Sequence, residues 1–194
     1  ISIRGLLAEA NPGDLHFTTA QGVSNQQGVD ALVTTTPGLA LFMVVGDAAP
    51  LMLVAPEGRG IALVHAGIVG TVNGIVPNTV RSLCKVARCE PAEISAVIGP
   101  TVGPCCYALA QSLTWGQVVS APYFAAFGPQ GPGIVMRKGV YFFDLPAALT
   151  AILAEQGVER VQHIGSCTAC KDSAFCSHHA GVAGRFGALL ALEP

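Results

Sequence analysis

Asp47 and His65 are the two residues whose types and positions most favour chemistry in this chain. Each stands at the end of a short apolar run, and His65 is followed by Ala66 and Gly67. A glycine at a strand end lets a ligand approach the backbone closely, and an imidazole there can act as a general base or bind a metal. The alternative for His65 is a core histidine bonded to a carbonyl group.

A second candidate site is a group of thiols and imidazoles that lies within thirteen residues. Its members are Cys167, Cys170, Cys176, His178 and His179. Zinc prefers tetrahedral sets of such donors, and the C-x-x-C spacing is typical of half a site. A structural site usually has a second, separate ligand pair, so packing of these thiols as small hydrophobic side chains is the alternative.

Cys105 and Cys106 form a further pair of thiols, directly after Gly103-Pro104. We expect them where a loop enters a helix, and a helix N-terminus would lower the thiol pKa and permit nucleophilic or redox chemistry. The alternative is that they pack without reacting. Cys84 and Cys89 are predicted to be structural.

The elements that must position these residues are short and apolar. Strands are predicted at 29–34, 39–45, 51–54, 60–65, 94–98 and 161–165, with a further apolar run at 186–192. Because these runs are almost continuously apolar, we expect sheets that are covered on both faces. Helical spacing from Val72 to Leu83 predicts one helix, whose start Pro77 would delay or kink. A second is predicted at 145–156, with Asp144 as its N-cap.

Composition indicates a single α/β domain over residues 1–194. The chain is 51% hydrophobic and 11% charged, with a formal net charge of -2. Its scattered Lys and Arg residues predict no nucleic-acid partner. The apolar runs are too short to cross a membrane. The high apolar content suggests an exposed apolar interface, and therefore a homo-oligomer.

The seven cysteines bear on the compartment in which the protein works. An odd number in a chain of this length is typical of reduced thiols rather than of a disulfide framework. The segment 1–14 contains too brief an apolar stretch for a secretory signal. We therefore expect a cytoplasmic location.

Several segments, taken in order, resemble the YfiH/YlmD family. They read DALVTTTPGLALFMVVGDAAPLMLV, IALVHAGIVGTVNGIV, AVIGPTVGPCCYAL, FFDLPAALTAILAEQGVERV, CTAC and AFCSHHAGVAGR, and they span about Val29 to Leu192. These laccase-domain or polyphenol oxidase proteins are described as purine nucleoside phosphorylases with adenosine deaminase activity. The resemblance implies purine nucleoside and phosphate as partners. It also implies an α/β (α+β) fold, a layered sandwich of mixed β-sheets flanked by helices, which is shared with toxin-type cysteine hydrolases.

The resemblance also implies a metal site, which in the family binds zinc or copper through two histidines and a cysteine. His65 matches the histidine of the family's H-A-G-W-R-G motif and is the inherited metal ligand. Ile68 and Val69 replace the Trp and Arg of that motif, so a guanidinium able to bind phosphate bidentately is lost. Ala48 stands in place of the ligand cysteine. Asp47 precedes it and could bond the imidazole or a loop amide.

The family's remaining ligand, the histidine of Q-V-H-G, has two possible counterparts. In one alignment His16 takes its place. In the other, which we prefer, residues 17–24 match the N-terminal F-T-T-R-x-G-G-V-S motif, and the ligand histidine falls in an N-terminal deletion. His16 is then a surface or strand histidine.

The C-terminal motif of the family, F-F-S-Y-R-R-D-G-x-T-G-R, is altered as well. His178 and His179 replace its paired arginines, and Arg185 matches its last one. We expect these three residues to contact substrate, although imidazoles bind anions more weakly than arginines near neutral pH.

The resemblance therefore supports two functions. The first is a degenerate homologue with weak or no family activity. The alternative is an active, metal-dependent enzyme on purine nucleosides, which uses substitute ligands around His65. His65 and Asp47 are the predicted catalytic residues for any activity of the family type.

Overall fold

The computed structural model of the chain describes residues 6–9, 17–18, 29–109 and 130–193. Its strands are β1 (Leu6–Glu9), β2 (Phe17–Thr18), β3 (Val29–Thr34), β4 (Ala40–Val45), β5 (Ala49–Val54), β6 (Ile61–Ala66), β7 (Ser95–Ile98), β8 (Ile134–Arg137), β9 (Val140–Phe143), β10 (Arg160–His163) and β11 (Phe186–Ala191). Its α-helices are α1 (Ile68–Val72), α2 (Ile75–Ala87) and α3 (Leu145–Glu155). Short 3-10 turns occupy Pro56–Gly58 and Pro91–Glu93. The predicted strands and the helix predicted at 145–156 are confirmed, with shifts of at most two residues at their ends. The single helix predicted from Val72 to Leu83 is instead divided, because Val72 ends α1 and Ile75 begins α2.

The main sheet has six strands in the order β1-β3-β6-β5-β7-β10. The four central strands β3, β6, β5 and β7 pair with one another in antiparallel fashion, whereas the edge strands β1 and β10 are parallel to their neighbours β3 and β7. A second sheet has the order β11-β4-β2, and β8 and β9 form a separate hairpin. The sheets are therefore mixed, as predicted.

The main sheet is buried on both faces, and β6 shows how. Ala62 and Val64 of this strand belong to a core that includes residues of α2 and α3. Ile61 and Leu63 belong to a second core, together with β4 and β11 residues. The order of layers is thus helices, six-stranded sheet and three-stranded sheet, which confirms the predicted layered α/β sandwich.

Helix α2 begins where a glycine permits a change of direction. Gly74 has a φ of +79°, which separates α1 from α2, and Pro77 lies in the first turn of α2 without interrupting it. Ile75, Val80 and Leu83 form its buried face, as the spacing predicts. Among the described residues, no helix has the length and apolar content that crossing a membrane would require.

Asp144 is the N-cap of α3. Its Oδ1 accepts a hydrogen bond of 3.0 Å from the amide of Ala147. We expect Asp144→Ala to lower the free energy of unfolding by about 1 kcal/mol, the usual cost of losing an N-cap. Asp144→Asn should retain most of that stability, because its amide oxygen can accept the same bond. Urea denaturation measures both, and equal losses in the two variants would contradict the cap assignment.

Candidate functional site

Asp47 follows β4 and joins three parts of the chain. Its Oδ1 accepts hydrogen bonds from the hydroxyls of Thr168 (2.8 Å) and Ser177 (2.6 Å), and its Oδ2 accepts one from the amide of His179 (2.7 Å). Its own carbonyl accepts a hydrogen bond from the amide of Val102. The sequence left two partners open for this carboxylate, the imidazole of His65 or a loop amide. The structure shows the bond to a loop amide, that of His179. Three engaged donors favour a positioning role over that of a free base.

His65 lies near the end of β6 and pairs with a residue of the neighbouring strand. Its Nδ1 is 3.5 Å from Oδ1 of Asp30 in β3, and the two side chains are 38% and 22% exposed. A carboxylate in this position orients an imidazole and leaves Nε2 for another partner. Sequence reasoning missed Asp30. The available signal was an isolated acid in the otherwise apolar run 29–34.

The family motifs are altered around the end of β6, in a group of residues that we call the corner of His65. It consists of His65, Gly67, Ala48, Ile68 and Val69. A Cβ added at Gly67 would lie 3.5 Å from Cβ of Ala48 and 3.8 Å from Cε1 of His65. These three residues are therefore neighbours in space. Ile68 is buried in the core, and Val69 packs against it. The corner thus presents a methyl group and aliphatic side chains where a thiolate and a guanidinium would be needed.

The residues at this corner supply too few donors for a metal ion. A catalytic zinc site takes about three protein ligands from Cys, His, Asp or Glu. Over the described ranges, His65 belongs to no group of three or more such donors. His65 and Asp30 alone do not fit the family's metal. The alternative ligand His16 lies outside the described residues.

Of the three residues predicted to contact substrate, two lie close to Asp47 and the third, His178, is exposed. Nε2 of His179 is 3.0 Å from the carbonyl of Cys106, and its ring meets that of Tyr107 edge-on, with centroids 5.3 Å apart. The side chain of Arg185 lies along Gly46, where an added Cβ would be 2.8 Å from its Cδ. The structure therefore brings His179 and Arg185 to the turn that carries Asp47.

Tyr107 is a neighbour of this group that sequence reasoning missed. Burial, together with the negative charge of Asp47, raises the pKa of Tyr107 to about 12. The phenol is therefore protonated near neutral pH and available as a hydrogen-bond donor. Its position after the Cys105-Cys106 pair gave no signal of such a role.

Four thiols form a cluster that the sequence did not predict. The Sγ atoms of Cys105, Cys106, Cys167 and Cys170 all lie within 4.8 Å of one another. Cys176, His178 and His179, which the spacing had grouped with Cys167 and Cys170, are not members of it. The partners of Cys167 and Cys170 are therefore Cys105 and Cys106, from a segment more than sixty residues earlier.

The prediction that Cys105 and Cys106 lie where a loop enters a helix is wrong. Residues 104–106 form a turn rather than a helix N-terminus. Burial, followed by contact with neighbouring thiols, raises the pKa of Cys105 to about 11 and also raises that of Cys106. For Cys167, burial acts in the same direction, but hydrogen bonds to its sulfur outweigh burial and lower the pKa. The amides of Gly103 and Ala169 contribute most to this lowering, followed by the thiols of Cys105 and Cys170.

Comparison with known proteins establishes the class to which this fold and site belong. A family model described as multi-copper polyphenol oxidoreductase laccase matches residues 10–193. The chain belongs to this family, which includes the YfiH and YlmD proteins. The resemblance carried by the sequence motifs is confirmed.

Two curated relatives are named purine nucleoside phosphorylases. YlmD of Geobacillus stearothermophilus is 32% identical over 171 residues, which are 84% of this chain and 60% of that protein. The enzyme of Deinococcus radiodurans is 34% identical over 163 residues, which are 84% of this chain and 61% of that protein. The chain therefore spans about three fifths of the length of these relatives.

Two solved structures share the fold. The crystal structure of YlmD from Geobacillus stearothermophilus aligns with a TM-score of 0.79 at 25% identity, over 100% of this chain and 72% of that one. The Bacillus licheniformis hypothetical protein YfiH aligns with a TM-score of 0.73 at 23% identity, over 99% and 72%. These alignments confirm the predicted α/β architecture.

Proposed function

We propose that this chain is a degenerate member of its family, which keeps the fold and part of a nucleoside site but has weak or no phosphorylase activity. The observation that carries this proposal is the corner of His65. That imidazole has Asp30 as a polar neighbour, while Ala48 and Ile68 present aliphatic groups. Lewis-acid activation of water or phosphate requires about three protein ligands and an open position.

Part of a binding site for nucleoside and phosphate is retained around Asp47. Arg185 lies beside this turn, and a guanidinium can bind phosphate through two parallel hydrogen bonds. Tyr107 supplies a protonated phenol, and His179 places an imidazole against its ring. These groups support binding of a purine nucleoside or phosphate without supplying the metal that the family's chemistry uses.

A phosphorolysis assay tests the proposal. The chain is incubated with zinc, phosphate and inosine or adenosine, and free base is measured by chromatography beside YlmD of Geobacillus stearothermophilus. We expect a rate at least about 100-fold lower than that of YlmD, because a missing Lewis acid removes several kcal/mol of transition-state stabilisation and each 1.4 kcal/mol is tenfold. A rate within about tenfold of the YlmD rate would overturn the proposal.

The Asp30–His65 pair favours one second candidate, an enzyme with residual activity on purine nucleosides. A carboxylate beside Nδ1 orients the imidazole so that Nε2 can act as a general base, and general acid-base catalysis contributes about 100-fold or more. In that case Asp30→Asn and His65→Ala should both remove the activity. His163→Ala is the matched control, since His163 is an exposed strand histidine outside the corner.

A further inference from the structure

The four-cysteine cluster has the dimensions of a metal site. Sγ of Cys170 is 3.5 Å from Sγ of Cys105 and 3.8 Å from Sγ of Cys106. A tetrahedron of four sulfurs around zinc, with Zn–S bonds of about 2.3 Å, has edges of about 3.8 Å. These two separations lie close to the edge of a tetrathiolate, and the other sulfur–sulfur separations are at most 4.8 Å. All four cysteines are free, so no disulfide bond of about 2.05 Å joins them.

The backbone around the cluster fixes the two segments that carry the thiols. Thr101 and Cys167 form a parallel β-bridge, and the amide of Thr168 donates to the carbonyl of Thr101 at 3.1 Å. The hydroxyl of Thr168 in turn donates to Asp47. The thiols thus face one another on segments that the fold itself holds together, so little rearrangement is needed to bind an ion.

The backbone also provides hydrogen bonds to sulfur. The amide of Gly103 donates to Sγ of Cys167 at 3.2 Å. Such bonds stabilise a thiolate, the form in which cysteine binds metal. With a C-x-x-C pair from one segment and adjacent cysteines from another, the cluster has the two separate ligand pairs that structural zinc sites use.

We propose that Cys105, Cys106, Cys167 and Cys170 bind one zinc ion as a structural tetrathiolate. All four coordination positions are filled by protein, so the ion leaves no place for substrate and serves the fold. It connects the segment after β7 to the segment that carries the hydrogen-bond partners of Asp47. This site is separate from the corner of His65 and does not depend on the function proposed for that corner.

The first test measures zinc content in protein purified under reducing conditions without chelator. We expect one zinc per chain in the wild type and in Cys176→Ala, the matched control in the same segment. Cys105→Ser and Cys170→Ser should each weaken zinc binding by at least about 100-fold, since loss of even a supporting contact costs 10- to 100-fold. Zinc content that is unchanged in both serine variants would overturn the proposal, as would zinc-free wild-type protein.

A second measurement keeps the test decisive if the serine variants fail to fold. Cobalt is loaded into the wild-type chain, and X-ray absorption counts its sulfur donors. Four sulfurs, with an intense thiolate-to-cobalt charge-transfer band in the near ultraviolet, are expected. Fewer than four sulfurs around cobalt would overturn the assignment. Two findings on the protein as purified under reducing conditions would also overturn it, namely stoichiometric copper(I) in place of zinc or a disulfide among these cysteines.

Discussion

Replacing Asp47 by alanine should lower the free energy of unfolding by about 3–5 kcal/mol, because a hydrogen bond to a charged group contributes about 1.5–3 kcal/mol and the bonds do not add fully. The variant removes the acceptor of the hydroxyls of Thr168 and Ser177, which are 2% and 0% exposed. It also removes the acceptor of the His179 amide. Equilibrium denaturation in urea measures the loss.

Two further variants show whether the carboxylate itself is responsible. Asp47→Asn should lie between the wild type and Asp47→Ala. Its amide oxygen can still accept from the two hydroxyls, but its NH2 group would face the amide of His179. Asp172→Ala removes an exposed carboxylate of the same segment and should change stability by less than about 0.5 kcal/mol. An Asp47→Ala variant as stable as Asp172→Ala would contradict the anchoring role.

Removal of zinc from the cysteine cluster should also lower the stability of the fold by a large amount. Chelation of the zinc ion at the cysteine cluster should lower the free energy of unfolding by about 4 kcal/mol, relative to protein with free zinc at about a thousand times its dissociation constant. The reason is that the ion binds the native arrangement of two distant segments. Thermal unfolding with and without chelator measures the effect.

Hydrogen exchange locates this effect in the chain. Residues 164–185 contain no helix or strand, so their position depends on the Thr101–Cys167 bridge, on Asp47 and on the cysteine cluster. Chelation should speed exchange of the amides of Thr168 and His179 while leaving those of β6 unchanged. A Cys105→Ser/Cys170→Ser double variant should show no response to chelator. A response equal to that of the wild type would contradict the metal assignment.

Much of the fold could be predicted because its signals are local. The alternating or continuous apolar runs of β3 to β6 specify strands that are buried on both faces, and the spacing from Ile75 to Leu83 specifies one face of α2. Asp144 and Gly157 mark the two ends of α3 by the chemistry of helix caps. Each of these features depends on residues within a few positions of one another.

The site could be predicted less well because its contacts join distant residues. The Asp30–His65 pair depends on the register of β3 against β6, which places these residues opposite one another next to the Ala31–Val64 pair. The thiol cluster depends on the bridge between Thr101 and Cys167. Without that bridge, spacing alone grouped Cys167 and Cys170 with the nearby Cys176 and histidines. The loss of family ligands around His65 could be predicted from the sequence, because Ala48 and Ile68 replace family residues within short, local motifs.

The most direct measurement follows zinc content and free-base release together in the wild type and in His65→Ala. We predict that both proteins bind one zinc ion per chain and that neither releases base from inosine and phosphate above background. Zinc retained by His65→Ala would exclude His65 as a ligand of that ion, and the absence of base release would leave the corner of His65 without the family's chemistry. Base release by the wild type that disappears in His65→Ala together with one zinc ion would contradict it.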